Sequence, residues 1–195
     1  MSWDESLFRA VNGLAGRSSL LDWLALTLSS PDLLWVPGIL LGGYWLWLSW
    51  QEMVIAAPLL GGVIGIADFL GARIKGLVAR PRPCTALPDI HQIEACGKAF
   101  GFPSNHAINT AAAAAFLQVL YPRSAWISWP LVAMIGLARV FIGAHYVTDV
   151  LAGWLLGGLF GAAMAWALLQ WPRFRRRVLP SVPSSVPPSD AALKE

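Results

Sequence analysis

Three short polar segments interrupt an otherwise apolar chain, and each contains residue types that bind anions or transfer protons: Lys75–Pro83, Pro103–His106 and Arg139–Asp149. Arg82 and Arg139 carry forked guanidinium donors and Lys75 adds a point charge, a set that suits an anion with several oxygens. Ser104 and Asn105 stand where a helix begins, and backbone N–H groups at a helix N-terminus favour negative charge. If the three segments meet, they form a site for a phosphate dianion.

Two histidines divide the chemistry that such a site could perform. His145 and Asp149 are spaced i, i+4, so a helix that begins near His145 would place both on one face, where Asp149 can hold the imidazole by its N–H. A neutral imidazole held in this way is a nucleophile towards phosphorus. His106 has no carboxylate at helical spacing, and beside a bound phosphate it suits a general acid that protonates the leaving oxygen.

The elements that must position these residues are membrane-spanning helices. Of the 195 residues, 56% are hydrophobic and 13% are charged, and the mean hydropathy is +0.58. A spanning helix needs about 20 apolar residues, and five segments approach or meet that length: Leu33–Trp50, Met53–Ala72, Ala107–Tyr121, Ala125–Ala144 and Val150–Trp171. Ser19–Ser30 is shorter and carries Asp22, so we expect an interfacial or partly inserted helix there. The predicted fold class is an all-α polytopic membrane helix bundle with five transmembrane helices and a weaker N-terminal helix.

Basic residues set the expected orientation and domain boundary. Arg173 and Arg175–Arg177 directly follow the last span, which by the positive-inside rule places that end in the cytoplasm. Counting spans backwards puts the loop 73–102 and the turn 142–145 together at the outer face of an inner (plasma) membrane, towards the periplasm or exterior. We expect residues 1–172 to form a membrane-embedded domain. Residues 173–195, basic and then rich in Pro and Ser, are expected to be a disordered cytoplasmic tail.

The predicted outer loop retains five cations, although the positive-inside rule disfavours them there, which indicates a role other than topology: Arg73, Lys75, Arg80, Arg82 and Lys98. The loop also holds both cysteines of the chain, Cys84 and Cys96. On an oxidising side they would form a disulfide that closes a ring of about a dozen residues and contributes roughly 3 kcal/mol. Two free thiols are the alternative. A zinc site is disfavoured, since only His91 lies near them.

The motifs K-x6-R-P, P-S-x-H and R-x5-H-x3-D, in this order and flanking apolar helices, resemble the signature of the type-2 phosphatidic acid phosphatase superfamily. These are lipid phosphatases that share their site with glucose-6-phosphatase and vanadium haloperoxidases. The resemblance runs from Lys75 to Asp149 by motif and through the last helix by hydropathy. It implies attack by His145, orientation of that histidine by Asp149, protonation of the leaving group by His106, and phosphate binding by Lys75, Arg82, Arg139, Ser104 and the amide of Asn105.

Two positions depart from the family pattern. Asn105 replaces the usual Gly of the second motif, but Asn tolerates turn conformations and can still cap a helix. Ala138 replaces the Ser that usually precedes the arginine, which removes one hydroxyl donor. The resemblance also implies no metal or other cofactor, in agreement with a sequence that has no clustered carboxylates for magnesium. We expect no nucleic-acid partner, because the sequence contains no such motif.

A stripe of small residues continues along the last helix at the i+4 spacing of the His–Asp pair: Gly153, Gly157 and Gly161. Ala111–Ala115 offers a similarly smooth surface on the preceding span, so we expect tight helix packing around the site. Asp68 lies inside an apolar span, and an acid there is a functional hypothesis by default. An ion pair with Lys75, Arg73 or Arg139 and a direct chemical role are both open.

The expected substrate is a phosphorylated lipid, which can reach an interfacial site by lateral diffusion in the bilayer. Small bacterial members of the superfamily commonly act on undecaprenyl diphosphate, which is therefore the first expectation from the resemblance. Phosphatidylglycerol phosphate, phosphatidic acid and lipid A 1-phosphate are open alternatives, as is transfer of the phosphoryl group to a lipid acceptor. A non-catalytic scaffold or transporter is the rival from another class, but it would need no His145–Asp149 pair.

Overall fold

The computed structural model describes residues 2–97 and 100–172, except for the side chains of 31–49 and 51–53. Every regular element in those ranges is helical: α1 (Trp3–Asn12), α2 (Ser19–Ser29), α3 (Pro31–Val78), α4 (Pro83–Ala86), α5 (Asn105–Leu120), α6 (Ala125–Phe141) and α7 (Val147–Leu169), with a 3-10 turn at Pro122–Ser124. The predicted all-α membrane bundle is confirmed. The predicted tail 173–195, with its arginines, and Lys98 lie outside the described residues.

Three of the described segments are long and apolar enough to cross a membrane: Val54–Ala86, Pro122–Phe141 and Val147–Leu169. α5 has 16 residues, which corresponds to about 24 Å, somewhat less than the roughly 30 Å of a hydrocarbon core. Its short length fits its place, because α5 packs against α3, α6 and α7 at the centre of the bundle. α2, a mainly apolar helix of 11 residues, is shorter than a span, so the interfacial placement of Ser19–Ser30 stays a prediction.

The two predicted spans Leu33–Trp50 and Met53–Ala72 both fall inside α3, which the backbone assigns as one helix of 48 residues. No Gly or Pro stands between Trp50 and Met53 to end a helix there. A straight helix of this length would extend about 72 Å. However, Ser29, just before α3, and Lys75, near its end, both lie close to His106. α3 is therefore not straight over its whole length.

The small-residue packing that the sequence predicts is confirmed between α5 and α7, which form the most extensive helix contact of the bundle. A Cβ added at Gly157 would clash with the backbone of Ile108, and one at Gly161 with the backbone of Ala112. Ala107 and Ala112 of α5 are buried at this contact. The two helices that carry the second and third polar segments are thus held at backbone contact, which fixes the two segments relative to each other.

Helix α1 was not predicted, and it packs across α6 and α7 at the end of the bundle. Its N-cap is Ser2, whose Oγ accepts from the N–H of Glu5 at 3.2 Å. Asp4, Phe8 and Asn12 are buried at four-residue spacing on one face of the helix. The side chain of Asn12 joins α1 to the carbonyl of Phe141 at 2.8 Å, so α1 is anchored where α6 ends.

Candidate active site

The ends of α3 and α6 and the starts of α5 and α7 meet at one end of the bundle, and they bring the three polar segments together. Arg82 Nη1 donates to the carbonyl of Ala144 at 3.4 Å, which joins the first segment to the third. The N–H of Ser104 donates to the carbonyl of Asp149 at 3.0 Å, which joins the second to the third. The convergence expected from the order of the spans is therefore present in the fold.

His145 lies in the turn between α6 and α7, with 1% of its surface exposed. Gly143 has a φ of 85°, in the left-handed region that favours glycine, and it reverses the chain so that the N–H of His145 donates to the carbonyl of Arg139 at 3.2 Å. The i, i+4 spacing predicts that His145 and Asp149 share a helix face if the helix begins near His145. α7 begins only at Val147, so His145 lies outside the helix. His145 Nδ1 lies 3.6 Å from Asp149 Oδ2, which is charge proximity rather than a hydrogen bond.

The environment of His145 favours the neutral imidazole. Burial lowers the pKa of His145 to about 4, and the positive charges of Arg82 and Arg139 act in the same direction against the opposing attraction of Asp149. The ring is therefore uncharged at pH 7. Since Nδ1 faces Asp149, the other ring nitrogen, Nε2, is the one left to act on a ligand.

Asp149 is fully buried, and its two carboxylate oxygens have separate partners. Oδ1 accepts from Arg80 Nη1 at 2.7 Å, and Oδ2 accepts from the N–H of Tyr146, the N-cap residue of α7, at 2.9 Å. Arg80 also pairs with Asp4 of α1 at 2.7 Å. From the sequence, Arg80 is identified only as one of the outer-loop cations. Asp4 is not identified as a site residue, because nothing in the sequence pattern places α1 beside α7.

The start of α5 forms a cradle of donors. Ser104 is its N-cap residue, is 0% exposed, and has a buried Oγ without a hydrogen-bond partner among the described residues. The N–H groups of the first helical turn, beginning with those of Asn105 and His106, have no acceptor within the helix. The buried hydroxyl and the backbone donors of this turn are groups that a bound anion would satisfy.

Three buried cations lie at the same end of the bundle: Lys75, Arg82 and Arg139, each at most 9% exposed. They are close enough for the charges of Arg82 and Arg139 to act on Lys75. Arg139 Nε is buried without an acceptor in the described part of the chain. Buried like charges are unfavourable unless they share a counterion, so this arrangement favours a bound anion of more than one negative charge.

A cavity of about 130 Å³ opens between Arg82 and Arg139 on one side and the loop after α4 on the other. Glu94 of this loop reaches Arg139, with Oε2 3.4 Å from Nη1, and its side chain is 45% exposed. Gly97 lies directly over the guanidinium of Arg82, where a Cβ would come within 3.3 Å of Cζ. The loop thus lies against both arginines, and the carboxylate of Glu94 pairs with Arg139 at the rim of the cavity.

The loop is tied to α4 by the Cys84–Cys96 disulfide, with 5.9 Å between the Cα atoms. We expect this bridge in protein isolated without reductant, because the tether keeps the loop against Arg82 and Arg139. Mass spectrometry after alkylation of the folded, unreduced protein should find neither thiol modified. Labelling after reduction provides the control, and two thiols that alkylate fully before reduction would contradict the prediction.

The side chain of Asn105 turns away from the cation cluster. Its Nδ2 donates to Asp68 Oδ1 at 2.9 Å, and the Nδ2 of Asn109 donates to the same oxygen at 2.9 Å. Asp68 therefore ties α3 to α5 through two amides, and within the described residues it forms none of the ion pairs considered for it. Asn105 can contribute its backbone N–H to the cradle, while its side chain contributes to helix packing.

His106, in the first turn of α5, is partly buried and lies beside the backbone carbonyl of Ser29 at the end of α2. Arg139, Lys75 and Arg82 all lie near enough to influence it electrostatically. His106 thus borders the same cluster of cations as His145, from the opposite polar segment. No group of three or more His, Cys, Asp or Glu side chains that could hold a metal ion occurs in the ranges that the structure describes.

A family model described as the PAP2 superfamily matches residues 56–176, which include all three polar segments. The chain belongs to this superfamily. It is accordingly a membrane protein and a phosphatase of the lipid phosphatase class, a hydrolase that acts on phosphate esters. The resemblance inferred from the motifs is confirmed.

Individual relatives agree with this placement. The chain is 30% identical over 159 residues to undecaprenyl-diphosphatase BcrC of Bacillus subtilis, covering 80% of this chain and 79% of that protein. It is 33% identical over 93 residues to an undecaprenyl-diphosphatase of Sulfolobus acidocaldarius, where the match spans 47% of this chain and 45% of the relative. Among solved structures, a phosphatidylglycerolphosphate phosphatase from Bacillus subtilis superposes with a TM-score of 0.69 at 25% identity, covering 88% of this chain and 87% of that chain.

Proposed function

We propose that the protein hydrolyses a lipid phosphate or diphosphate at the outer face of the inner (plasma) membrane through a phosphohistidine on His145. The observation that carries this proposal is the burial of a neutral imidazole beside Asp149 at the same end of the bundle as three buried cations. A neutral nucleophile and a site built for a dianion are what an attack on a phosphate ester requires.

The proposed reaction has two steps. Nε2 of His145 forms a bond to phosphorus as the bond from phosphorus to the leaving oxygen breaks. His106, protonated while the phosphate dianion is bound beside it, gives its proton to that oxygen. Water then attacks the phosphohistidine, gives a proton to His106, and releases inorganic phosphate with His145 restored. Lys75, Arg82, Arg139, the Ser104 hydroxyl and the amide of Asn105 hold the equatorial oxygens, where charge accumulates in the transition state.

Undecaprenyl diphosphate is our first candidate for the substrate. The supporting observation is that the two curated relatives named above are undecaprenyl-diphosphatases, one of them matched along most of both chains. Phosphatidylglycerol phosphate is the second candidate, because a phosphatidylglycerolphosphate phosphatase has the same fold. Phosphatidic acid and lipid A 1-phosphate complete the set to be tested.

We propose that the catalytic end faces the periplasm or exterior and that the C-terminus is cytoplasmic. The arginines after α7 support this orientation through the positive-inside rule. The Cys84–Cys96 bridge at the catalytic end supports it as well, since disulfides persist in oxidising compartments. A cysteine introduced in the loop 87–95 should therefore react with a membrane-impermeant maleimide in intact cells, in a Cys84→Ser/Cys96→Ser background.

Release of inorganic phosphate from the four lipids by detergent-purified protein tests the function, and vanadate and a chelator test its mechanism. We expect vanadate to inhibit, because it adopts the five-coordinate geometry of phosphoryl transfer, and EDTA to leave the rate unchanged. Activity that EDTA abolishes and magnesium restores would overturn the metal-free mechanism. Phosphate appearing on an added lipid acceptor, with no release of free phosphate, would identify a phosphotransferase instead.

A further inference from the structure

The carboxylate beside His145 belongs to a chain of charges that leads out of the family motifs to the N-terminal helix. Arg80 bridges three acceptors: Nη1 donates at 2.7 Å both to Asp149 Oδ1 and to Thr148 Oγ1, and Nη2 donates to Asp4 Oδ2 at 2.7 Å. The backbone N–H of Thr148 donates to the other oxygen of Asp4 at 3.1 Å. Asp4, Arg80 and Asp149 therefore alternate in sign within one hydrogen-bonded network.

Aromatic rings and a backbone hydrogen bond hold Arg80 in place within this network. The guanidinium of Arg80 lies over the ring of Tyr146, 4.1 Å from its centroid, and Phe8 of α1 packs edge-on against the same ring at 5.7 Å. The N–H of Gly101 donates to the carbonyl of Arg80 at 2.7 Å and fixes the backbone there. A Cβ at Gly101 would stand 3.1 Å from Asp149 Oδ2, so a side chain there would press on the carboxylate.

Two members of the network, Asp4 and Arg80, form an ion pair of opposite charges. Burial alone would raise the pKa of Asp4, but hydrogen bonds from Thr148 and Arg80 outweigh it and the pKa is lowered. Arg80 is a cation at every accessible pH. Asp149 is shared between two partners: Oδ1 pairs with Arg80, and Oδ2 faces His145, whose imidazolium a negative charge on that oxygen stabilises.

We propose that Asp4 and Arg80 are positioning residues that act through Asp149 to set its orientation and effective charge, and thereby the protonation of His145. Arg80 draws the carboxylate away from the imidazole and reduces its negative field, while Asp4 limits that effect by neutralising part of Arg80. The proposal rests on the proposed nucleophilic role of His145. It assigns to α1, which lies outside the residues that the family model matches, a part in tuning the site.

Several other charges face His145, and they stay constant in the test. Asp149 of α7, Arg82 of the first polar segment and Arg139 of α6 act on the imidazole directly. Lys75 of α3 interacts with Asp149, and Glu94 of the disulfide loop pairs with Arg139. Across the cluster stands His106 of α5. Substitutions of Asp4 and Arg80 leave all of these side chains in place, and among them only Asp149 contacts a substituted residue, so a displaced titration reports the network.

The two substitutions are expected to move the acid limb of the pH profile of kcat/KM in opposite directions. Arg80→Gln uncovers the charge of Asp149, stabilises the imidazolium and should shift the limb upward by about 0.5–1 pH unit. Asp4→Asn keeps the hydrogen-bonding shape but removes the charge that restrains Arg80, and should shift it downward by roughly 0.2–0.5 unit. An aryl phosphate serves as substrate, because its own titration is common to all variants.

Matched controls come from α1, which carries Asp4, and from α3, which ends just before Arg80. Glu5→Gln removes a neighbouring carboxylate of α1 that pairs with Arg9, and Arg73→Gln removes an exposed cation of α3 that lies over Phe69. Neither contacts the network, so both should keep the wild-type profile. Arg80→Lys retains the cation without the three-way bridge; it should keep the limb within about 0.3 unit of wild type and lower kcat.

A direct titration of the imidazole separates this inference from the proposed function. The chain has three histidines, so His145 can be followed by NMR of histidine-labelled full-length protein in detergent, with His91→Gln and His106→Gln assigning the other two signals. We expect the same opposite displacements of the His145 titration in Arg80→Gln and Asp4→Asn. If Arg80→Gln does not fold, the downward displacement in Asp4→Asn alone carries the test.

Unchanged His145 titrations in folded Asp4→Asn, or displacements of the same sign in both variants, overturn the inference and reduce the network to a structural clamp. Opposite displacements by NMR in a protein whose His145 variants still turn over substrate would uphold the network and reject His145 as the nucleophile. The two failures are therefore distinguishable.

Discussion

His145→Ala and His145→Gln proteins are expected to be inactive towards every phosphate ester that the wild type hydrolyses. Without the imidazole no covalent intermediate forms, and loss of the nucleophile in a covalent mechanism reduces kcat by roughly 10⁴-fold or more. The loss should be equal for lipid diphosphates, lipid monophosphates and aryl phosphates, because all three pass through the same intermediate. Phosphate release, followed with each substrate, measures it.

Two controls separate lost chemistry from lost structure. His91 has an exposed side chain, so His91→Ala should retain wild-type activity. Thermal unfolding and gel filtration of the His145 variants test whether the bundle persists, and tritiated or fluorescent substrate binding tests whether the cations still hold phosphate. Turnover of the aryl ester by a folded His145→Ala protein would show that another group attacks phosphorus.

The polar segments were predictable because short-range patterns encode them. The spacing of Lys75 to Arg82 and of Arg139 to Asp149 can be read without knowing the fold, and the apolar spans between them require their ends to alternate sides. Span counting therefore predicts which segments meet. It does not predict distances, and the i, i+4 pair illustrates the limit: the chain turns at Gly143, and α7 begins two residues after His145.

The charge network could not be read from the sequence, because its members are joined only by tertiary packing. Asp4 lies in an amphipathic helix that resembles any interfacial segment, and Arg80 reads as one more loop cation. The buried face of α1 is the relevant signal, with Asp4, Phe8 and Asn12 at four-residue spacing. A charged and an amide residue on the face that also carries a buried Phe indicate polar partners inside the protein, although they do not name them.

Asp68, an acid within an apolar span, shows the same limit. The sequence left an ion pair and a direct chemical role open, since an uncompensated carboxylate in an apolar span is unfavourable. The structure satisfies one of its oxygens with two side-chain amides from α5 instead, Asn105 and Asn109. The Asn that departs from the family motif at position 105 is thereby explained in part, because its side chain joins α5 to α3 while its backbone remains at the helix start.

His106→Ala is expected to lower activity by an amount that depends on the leaving group. With an alkyl phosphate the leaving alkoxide needs a proton, so the loss of a general acid should reduce kcat by about 10²–10⁴-fold. An aryl phosphate leaves as a stable phenolate and should lose far less. A lipid diphosphate should fall between them, since its leaving phosphate is less basic than an alkoxide.

The pattern across the three substrates, rather than the size of any one loss, tests the assignment. A structural disturbance of the cradle at the start of α5 would weaken phosphate binding and reduce all three rates alike, and so equal losses would contradict the role of acid. Asn109→Ala provides the matched control, because it alters α5 one turn later and removes only a hydrogen bond to Asp68. If His106 is the acid, Asn109→Ala should show a small and uniform effect on the three rates. His106→Gln keeps hydrogen-bonding capacity but cannot deliver a proton at neutral pH, so it should reproduce the graded losses of His106→Ala.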